Sequence, residues 1–170
     1  WPISLEIAGA RMTLNQDGSV GLMLGATEIG QGADTVFSQM AAEVLNMDIS
    51  DIHIQTVQDT DVTPFDTGAY ASRQSFVTGT VVKDCANLLK KKILDYAKEL
   101  LDHGWIMAGK DPAISLGNLA LESYYSLGNS SVITAEVSEQ VKKNTIATGC
   151  CFAEVEVDIK LGKIKILHII

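Results

Sequence analysis

Several features that would point to a class of protein are missing from this sequence. No apolar run reaches the length of about 18 residues that a transmembrane helix requires, so none is predicted. The start has no basic stretch followed by an apolar one, so we predict no signal peptide. Basic residues are few: 13 Lys and Arg stand against 21 Asp and Glu, giving a formal net charge of -8. Because an acidic chain repels phosphate backbones and anionic lipids, nucleic acid and membranes are poor candidate partners.

Cysteine is also scarce. The 3 cysteines cannot by themselves form a four-thiolate zinc or iron–sulfur site. Their odd number, with no secretory signal, predicts reduced thiols in a cytoplasmic protein. We expect all of them to act as small buried side chains, with Cys150 and Cys151 on opposite faces of one strand.

The usual catalytic and metal-binding patterns are absent. The 3 histidines are far apart and form no His-Glu-x-x-His motif, and no Gly-x-Ser-x-Gly elbow occurs. Asp59 and Asp61 do not begin a calcium loop, because the twelfth positions are Tyr70 and Ser72 instead of carboxylates. We therefore predict no catalytic residue and no metal ligand within this chain.

What the chain does have is enough apolar sequence, 46% of 170 residues, for one packed domain spanning 1–170. We predict an α+β fold with an antiparallel or mixed sheet, hairpins and two main helices on one side.

The predicted strands cover 2–10, 12–14, 20–24, 52–57, 132–137, 146–159 and 164–170. One helix is predicted from after Gly32 to near Asn46, and others over about 74–102 and 116–125, with a connector at 103–113. The apolar stripe of the first helix is Val36, Met40 and Val44, widened by Phe37 and Ala41, and that of the second is Val81, Cys85, Leu88, Leu89, Ile93, Tyr96 and Leu100. Turns are predicted at 15–18 and 160–162, and Ser115 is the predicted N-cap of the last helix. Because an apolar strand is a poor terminus, we expect the chain to be cut from a longer protein.

Two loops carry the residues that suggest binding. The first, the glycine loop (residues 25–32), lies between a strand and a helix, where backbone N–H groups and the helix dipole favour an anion. Gly30 and Gly32 allow positive φ and close approach of a ligand, and Gln31 offers an uncharged amide. The loop is not a nucleotide P-loop, because Gln31 and Gly32 stand where Lys and Ser or Thr are needed.

The second, the long loop (residues 58–73), leads into the predicted helix at Gln74. Small residues near its end leave room for a ligand, and Ser72, Gln74 and Ser75 supply donors at a second helix start. Ser72 could instead serve only as a helix cap. The residues alone therefore predict a two-loop binder of a phosphorylated ligand without catalytic machinery, either as part of an enzyme or as a stand-alone binding or assembly module.

The two loops together resemble one known family, the molybdenum-binding (molybdopterin) subunits of xanthine dehydrogenases and aldehyde oxidoreductases. The resemblance is carried by Gly25-Ala26-Thr27-Glu28-Ile29-Gly30-Gln31-Gly32, Asp59-Thr60-Asp61, Pro64, Ala71-Ser72-Arg73, Gly79 and the strand pair at 150–170. It implies a chain that is an internal fragment of a molybdenum cofactor-binding domain.

The resemblance also implies roles for individual residues. Ile29, Gly30, Gln31 and Gly32 match positions that hold the pterin of the molybdenum cofactor, and Ala71 matches a small residue close to the metal. Ser72 and Gln74 match further cofactor contacts, although some relatives have Ser in place of Gln74. Arg73 is expected to neutralise a phosphate or nucleotide tail.

The family's chemistry is hydroxylation of a purine, related heteroaromatic or aldehyde carbon with oxygen from water. The implied cofactor is molybdenum-molybdopterin, with or without a nucleotide, while iron–sulfur clusters and FAD belong to partner domains or subunits. The family's catalytic Glu lies in a segment that follows the strand pair and is not in this sequence, so we expect the chain alone to be inactive. The run at 67–73 favours purine-type bacterial enzymes; carbon monoxide dehydrogenases and aromatic acyl-CoA reductases are alternatives within the family.

Overall fold

The computed structural model describes residues 6–55, 59–103, 114–127, 130–142 and 148–170. Along the chain, the strands are β1 (Ile7–Leu14), β2 (Val20–Leu24), β3 (Ile52–Ile54), β4 (Thr134–Gln140), β5 (Ala153–Asp158) and β6 (Lys163–Ile169). The helices are α1 (Ala33–Leu45), α2 (Val77–Asp102) and α3 (Leu116–Tyr125), with a short 3₁₀ turn at Ile49–Asp51. Among the described residues, no helix is long and apolar enough to cross a membrane.

Four strands form a mixed sheet in the order β3-β2-β1-β4. β1 pairs antiparallel with β2 and β4, and β2 pairs parallel with β3. Side chains alternate between the two faces of a strand, so the register places Met12 beside Leu22 on one side and Ala135 on the other. All three side chains are buried, and their face of the sheet forms the floor of the core.

Helix α2 packs on this floor. Its predicted stripe is confirmed: Val81, Cys85, Leu89 and Ile93 are buried, and the Cys85 thiol lies 3.4 Å from the Ala135 carbonyl oxygen. Burial raises the pKa of that thiol to about 11.

Helix α1 ends before Asn46, as predicted, and the predicted stripe includes two of its buried residues. Phe37 and Ala41 are buried, whereas Val36, Met40 and Val44 are only half-buried. The buried face is therefore centred on the two residues that widened the predicted stripe, and Met40 and Val44 pack against the core at its edge.

The first hairpin and helix α3 fit together closely. The hairpin turn at 15–18 is confirmed, with the Gly18 N–H donating to Asn15 O. Ser115 caps α3 as predicted, since its hydroxyl accepts from the Asn118 N–H at 3.2 Å. A Cβ on Gly18 would stand 2.7 Å from the backbone nitrogen of Gly117, so the turn and the start of α3 meet backbone to backbone.

Strands β5 and β6 form a separate antiparallel hairpin, and every residue from 148 to 170 is exposed. Exposed apolar side chains lie along both strands, among them Val157 and Ile164. The expectation that all three cysteines are buried is wrong for Cys150 and Cys151, which are exposed and precede β5 instead of lying within it.

The α+β prediction is confirmed, since the described residues form a mixed sheet, two hairpins and three helices. Four predicted parts lie outside the described residues: the strand start at 2–5, the strand end at 56–57, the connector from 104 to 113 and the strand start at 146–147.

Candidate functional site

The glycine loop and the long loop are far apart in sequence but meet in the structure. Gln31 Nε2 donates to Gln74 Oε1 at 2.5 Å, and both side-chain amides also donate to the Thr27 carbonyl oxygen, at 3.1 and 3.0 Å. The two glutamines therefore connect the start of α1 to the segment that precedes α2. The predicted convergence of the two loops is present.

A pocket of about 310 Å³ lies where the loops meet. Its lining includes five residues predicted to contact the cofactor, together with the nearby Ala69. The five are Ile29, Gln31, Ala71, Ser72 and Gln74. Gly30 and Gly32 are not part of this lining, but a Cβ added to either would have no atom within 4 Å, so their outer faces are open. Small side chains and open glycines leave the pocket accessible from solvent.

The glycine loop satisfies its own backbone N–H groups, which sequence reasoning did not anticipate. Glu28 Oε1 accepts from the N–H groups of Gly30 and Gly32 at 2.7 and 3.1 Å, and Oε2 accepts from that of Asp34 at 3.0 Å. The Ile29 N–H donates to Gln31 Oε1 at 2.7 Å. The backbone donors that we expected a ligand to use are thus bonded within the loop.

These hydrogen bonds change the acidity of the carboxylates. The pKa of Glu28 lies below its usual range, chiefly because the Asp34 N–H donates to the carboxylate, with further donation from Gly32 and Gly30. The pKa of Asp34 is raised by burial and by the neighbouring Glu28 charge.

The end of the long loop is an unusual turn. Ala71 and Ser72 both have positive φ, 48° and 56°, and the Arg73 N–H donates to the Tyr70 carbonyl oxygen at 3.1 Å. Positive φ at both central residues is the pattern of a type I′ turn, which is normally built from Gly, Asn or Asp. Each such non-glycine residue costs about 1–2 kcal/mol, so the backbone here is strained.

The buried side chain of Arg73 anchors this turn. Its guanidinium is buried and pairs with Glu6 at 2.7 Å and Asp66 at 2.5 Å, and it also donates to the carbonyl oxygens of Ile7 and Gly68. The expectation that Arg73 neutralises a phosphate is wrong, because its charge is already matched by two buried carboxylates. It fastens the long loop to β1.

Two glycines, Gly9 in β1 and Gly25 directly after β2, let the long loop approach the sheet closely. A Cβ on Gly25 would stand 2.0 Å from the Pro64 carbonyl oxygen, and one on Gly9 would stand 2.6 Å from the Pro64 Cβ. The backbone around Pro64 therefore rests directly against the ends of β1 and β2. Since any side chain would prevent this contact, both positions require glycine.

At the predicted second helix start, backbone N–H groups are bonded to carbonyl oxygens of the chain itself. Helix α2 begins at Val77, three residues later than predicted, and the N–H groups of Val77 and Gly79 donate to the carbonyl oxygens of Arg73 and Gln74. The alternative role of Ser72 as a helix cap is also wrong, since α2 has no side-chain cap. Ser72 is exposed at the pocket instead.

Carboxylates in the long loop serve as turn acceptors. Asp59 Oδ1 accepts from the Asp61 N–H at 2.9 Å, and Asp66 accepts from the Gly68 N–H and the Thr78 hydroxyl. Within the described ranges, no group of three or more His, Cys, Asp or Glu residues is arranged to hold a metal ion.

Comparisons with known proteins identify the family of the chain. The family model described as "Molybdopterin cofactor-binding domain" matches residues 2–170. The chain is 43% identical over 182 aligned positions to the xanthine dehydrogenase molybdenum-binding subunit of Escherichia coli O157:H7, an alignment that includes 100% of this chain and 24% of that subunit.

Solved structures share the fold. The carbon monoxide dehydrogenase of Oligotropha carboxidovorans superposes with a TM-score of 0.73 at 24% identity, over 95% of this chain and 22% of that one. Quinoline 2-oxidoreductase from Pseudomonas putida 86 superposes with a TM-score of 0.72 at 20% identity, over 96% of this chain and 22% of that one.

The fold and the two-loop site define a segment of a cofactor-binding domain. The chain belongs to the molybdopterin cofactor-binding domain family. It spans about a quarter of the length of the curated relative described above.

Proposed function

We propose that this chain forms one wall of the molybdopterin site in a molybdenum hydroxylase of the xanthine dehydrogenase type, with residues 1–170 acting as one domain of the molybdenum subunit. The observation that carries the proposal is the Gln31–Gln74 contact, which joins the two family loops around one pocket. The family match over residues 2–170 supports it independently.

The residues present fit a pterin. Its ring carries both hydrogen-bond donors and acceptors, and the amides of Gln31 and Gln74 offer both without adding charge. The open faces of Gly30 and Gly32 allow close approach, and the small Ala71 and Ser72 leave space beside them. A volume of about 310 Å³ is at the lower end for ligand pockets, so this chain supplies only part of the enclosure.

The assignment of individual roles follows from this fit. Gln31 and Gln74 would hold and orient the pterin, Ile29, Gly30 and Gly32 would line its approach, and Ala71 and Ser72 would leave room at the metal end. When bound, the molybdenum cofactor supplies hydroxylation of a purine or related heteroaromatic or aldehyde carbon with oxygen from water. None of the described residues is assigned as a catalytic base.

The remaining parts of such an enzyme belong to other polypeptide segments. We propose that the rest of the molybdenum subunit completes the site and that iron–sulfur and FAD domains or subunits accept the electrons. The partner at the site is a small-molecule substrate, not nucleic acid or membrane. The three free cysteines are compatible with the cytoplasmic location that we infer.

The test is cofactor loading. The protein is purified from cells that make molybdopterin, and molybdenum is counted by mass spectrometry and pterin by the fluorescence of its oxidised form. We expect Gln31→Ala and Gln74→Ala to lower both contents together, while Gln39→Ala, an exposed glutamine on α1, leaves both unchanged. Full loading of the Gln31→Ala and Gln74→Ala proteins would refute the proposal.

A second measurement tests activity. We expect the 170-residue chain alone to show no purine or aldehyde hydroxylation, even with added cofactor. Turnover by the chain alone would contradict the assignment of the catalytic base to another segment.

A further inference from the structure

The carboxylate of Glu28 occupies the place where a helix usually binds an anion. Helix α1 begins after Gly32, which has no side chain and so cannot cap the helix itself. Glu28 lies four residues earlier and reaches forward, and its two oxygens receive three backbone N–H groups from Gly30, Gly32 and Asp34. In geometry and charge, this is how a bound phosphate or carboxylate would be held.

The same bonds determine the shape of the loop. Gly30 and Gly32 have φ of 95° and 81°, a conformation that L side chains rarely adopt. Both N–H groups converge on one oxygen of Glu28, and Gln31 lies between them. From this position, Gln31 donates to Gln74, the residue that directly follows the long loop.

We propose that Glu28 is the built-in anion of the glycine loop: it positions Gln31 for the pocket and closes the start of α1 to the phosphate of any ligand. Glu28 is thus a positioning and specificity-determining residue. The inference rests on the proposed function and makes it more specific. The Glu28 carboxylate directs the uncharged pterin ring to the glutamines and keeps any phosphate away from the helix start.

The proposal is tested by anion titration followed by amide resonances of the 170-residue chain. In the wild type, we expect the Gly30, Gly32 and Asp34 amides not to respond to inorganic phosphate. In Glu28→Ala, the same three amides should shift saturably with phosphate and with formate, which replaces the missing carboxylate. We expect apparent affinity for phosphate to rise by at least about tenfold over the wild type.

Matched variants separate a specific effect from a general one. Glu43→Ala removes an exposed carboxylate from α1, away from the start of that helix. This variant should show no response of the three amides to phosphate. Glu28→Gln keeps one acceptor oxygen but removes the charge, so it should respond more weakly than Glu28→Ala. Chloride at matched ionic strength is the control for screening.

Two outcomes would overturn the inference. Saturable phosphate binding at these amides in the wild type would show that Glu28 does not close the site, and this result needs no variant to fold. Failure of a folded Glu28→Ala protein to bind either anion would show that the carboxylate does not stand in for one. Because no pterin is present, either failure is distinct from the loss or retention of cofactor in the Gln31 and Gln74 variants.

Discussion

Replacement of Arg73 by methionine would remove the charge that fastens the long loop to the sheet. Arg73 is 4% exposed, and the side chains of its partners Glu6 and Asp66 are 7% and 0% exposed. Without the guanidinium, two carboxylates would be buried close together with no cation between them. Removal of one partner from a buried ion pair costs about 3–5 kcal/mol, a large part of the stability of a domain of this size.

Arg11, which lies in β1, provides a matched control. It pairs with Glu136 at 2.7 Å, but the two side chains are 38% and 48% exposed. A pair exposed to this extent contributes about 0–1 kcal/mol, because water screens both charges. Arg11→Met makes the same chemical change as Arg73→Met at a position where we expect little effect.

The assay is urea denaturation followed by far-ultraviolet circular dichroism. We expect the midpoint of Arg73→Met to fall well below that of the wild type and that of Arg11→Met to stay close to it. If Arg73→Met is partly unfolded without urea, Glu6→Gln serves as a milder variant, since Arg73 then keeps Asp66. Equal losses for Arg73→Met and Arg11→Met would refute the argument from burial.

Three further outcomes are expected. Gly25→Ala should destabilise the fold by about 1–3 kcal/mol or more, because the new Cβ would lie 2.0 Å from the Pro64 carbonyl oxygen. Gly149→Ala, with no atom within 4 Å, should stay within about 0.5 kcal/mol of the wild type in the same urea assay. Ala71→Gly should stabilise by about 0.5 kcal/mol, since relief of positive φ exceeds the added freedom of the unfolded chain; a clear loss of stability would contradict the strained turn. At pH 8, a thiol reagent should modify two cysteines quickly and Cys85 only on unfolding, because its pKa is raised to about 11 and its side chain is buried; three fast thiols would contradict this packing.

Much of the fold follows from local sequence signals. The turn at 15–18 and the Ser115 cap have strong local chemistry, so both were predicted at the correct residues. The α2 stripe was also correct, because a long helix repeats its buried face several times. The α1 stripe was correct in its members but not in its centre, which lies at Phe37 and Ala41, because a short helix with apolar residues on adjacent faces leaves that choice to its tertiary contacts.

The site was predictable in outline but not in its bonding. The resemblance located both loops, and the structure brings Gln31 and Gln74 together. The partners of Arg73 were not predictable, because Glu6 lies 67 positions away and only the folded sheet brings it close. The available signal was one arginine at the end of a loop that carries three aspartates, Asp59, Asp61 and Asp66. Glu28 lies four residues before the Gly32 N-cap, whereas a capping box has its Glu three residues after the cap, so that signal does not reveal the role of Glu28.

The contact of the long loop with Gly9 and Gly25 has a consequence for binding. Together with Arg73, these glycines fix the loop against the sheet as the chain folds, independently of any bound molecule. The conformational entropy of this wall is therefore lost during folding, and an incoming cofactor meets a surface that is already ordered. We expect substitutions that loosen this contact to weaken cofactor retention by accelerating dissociation.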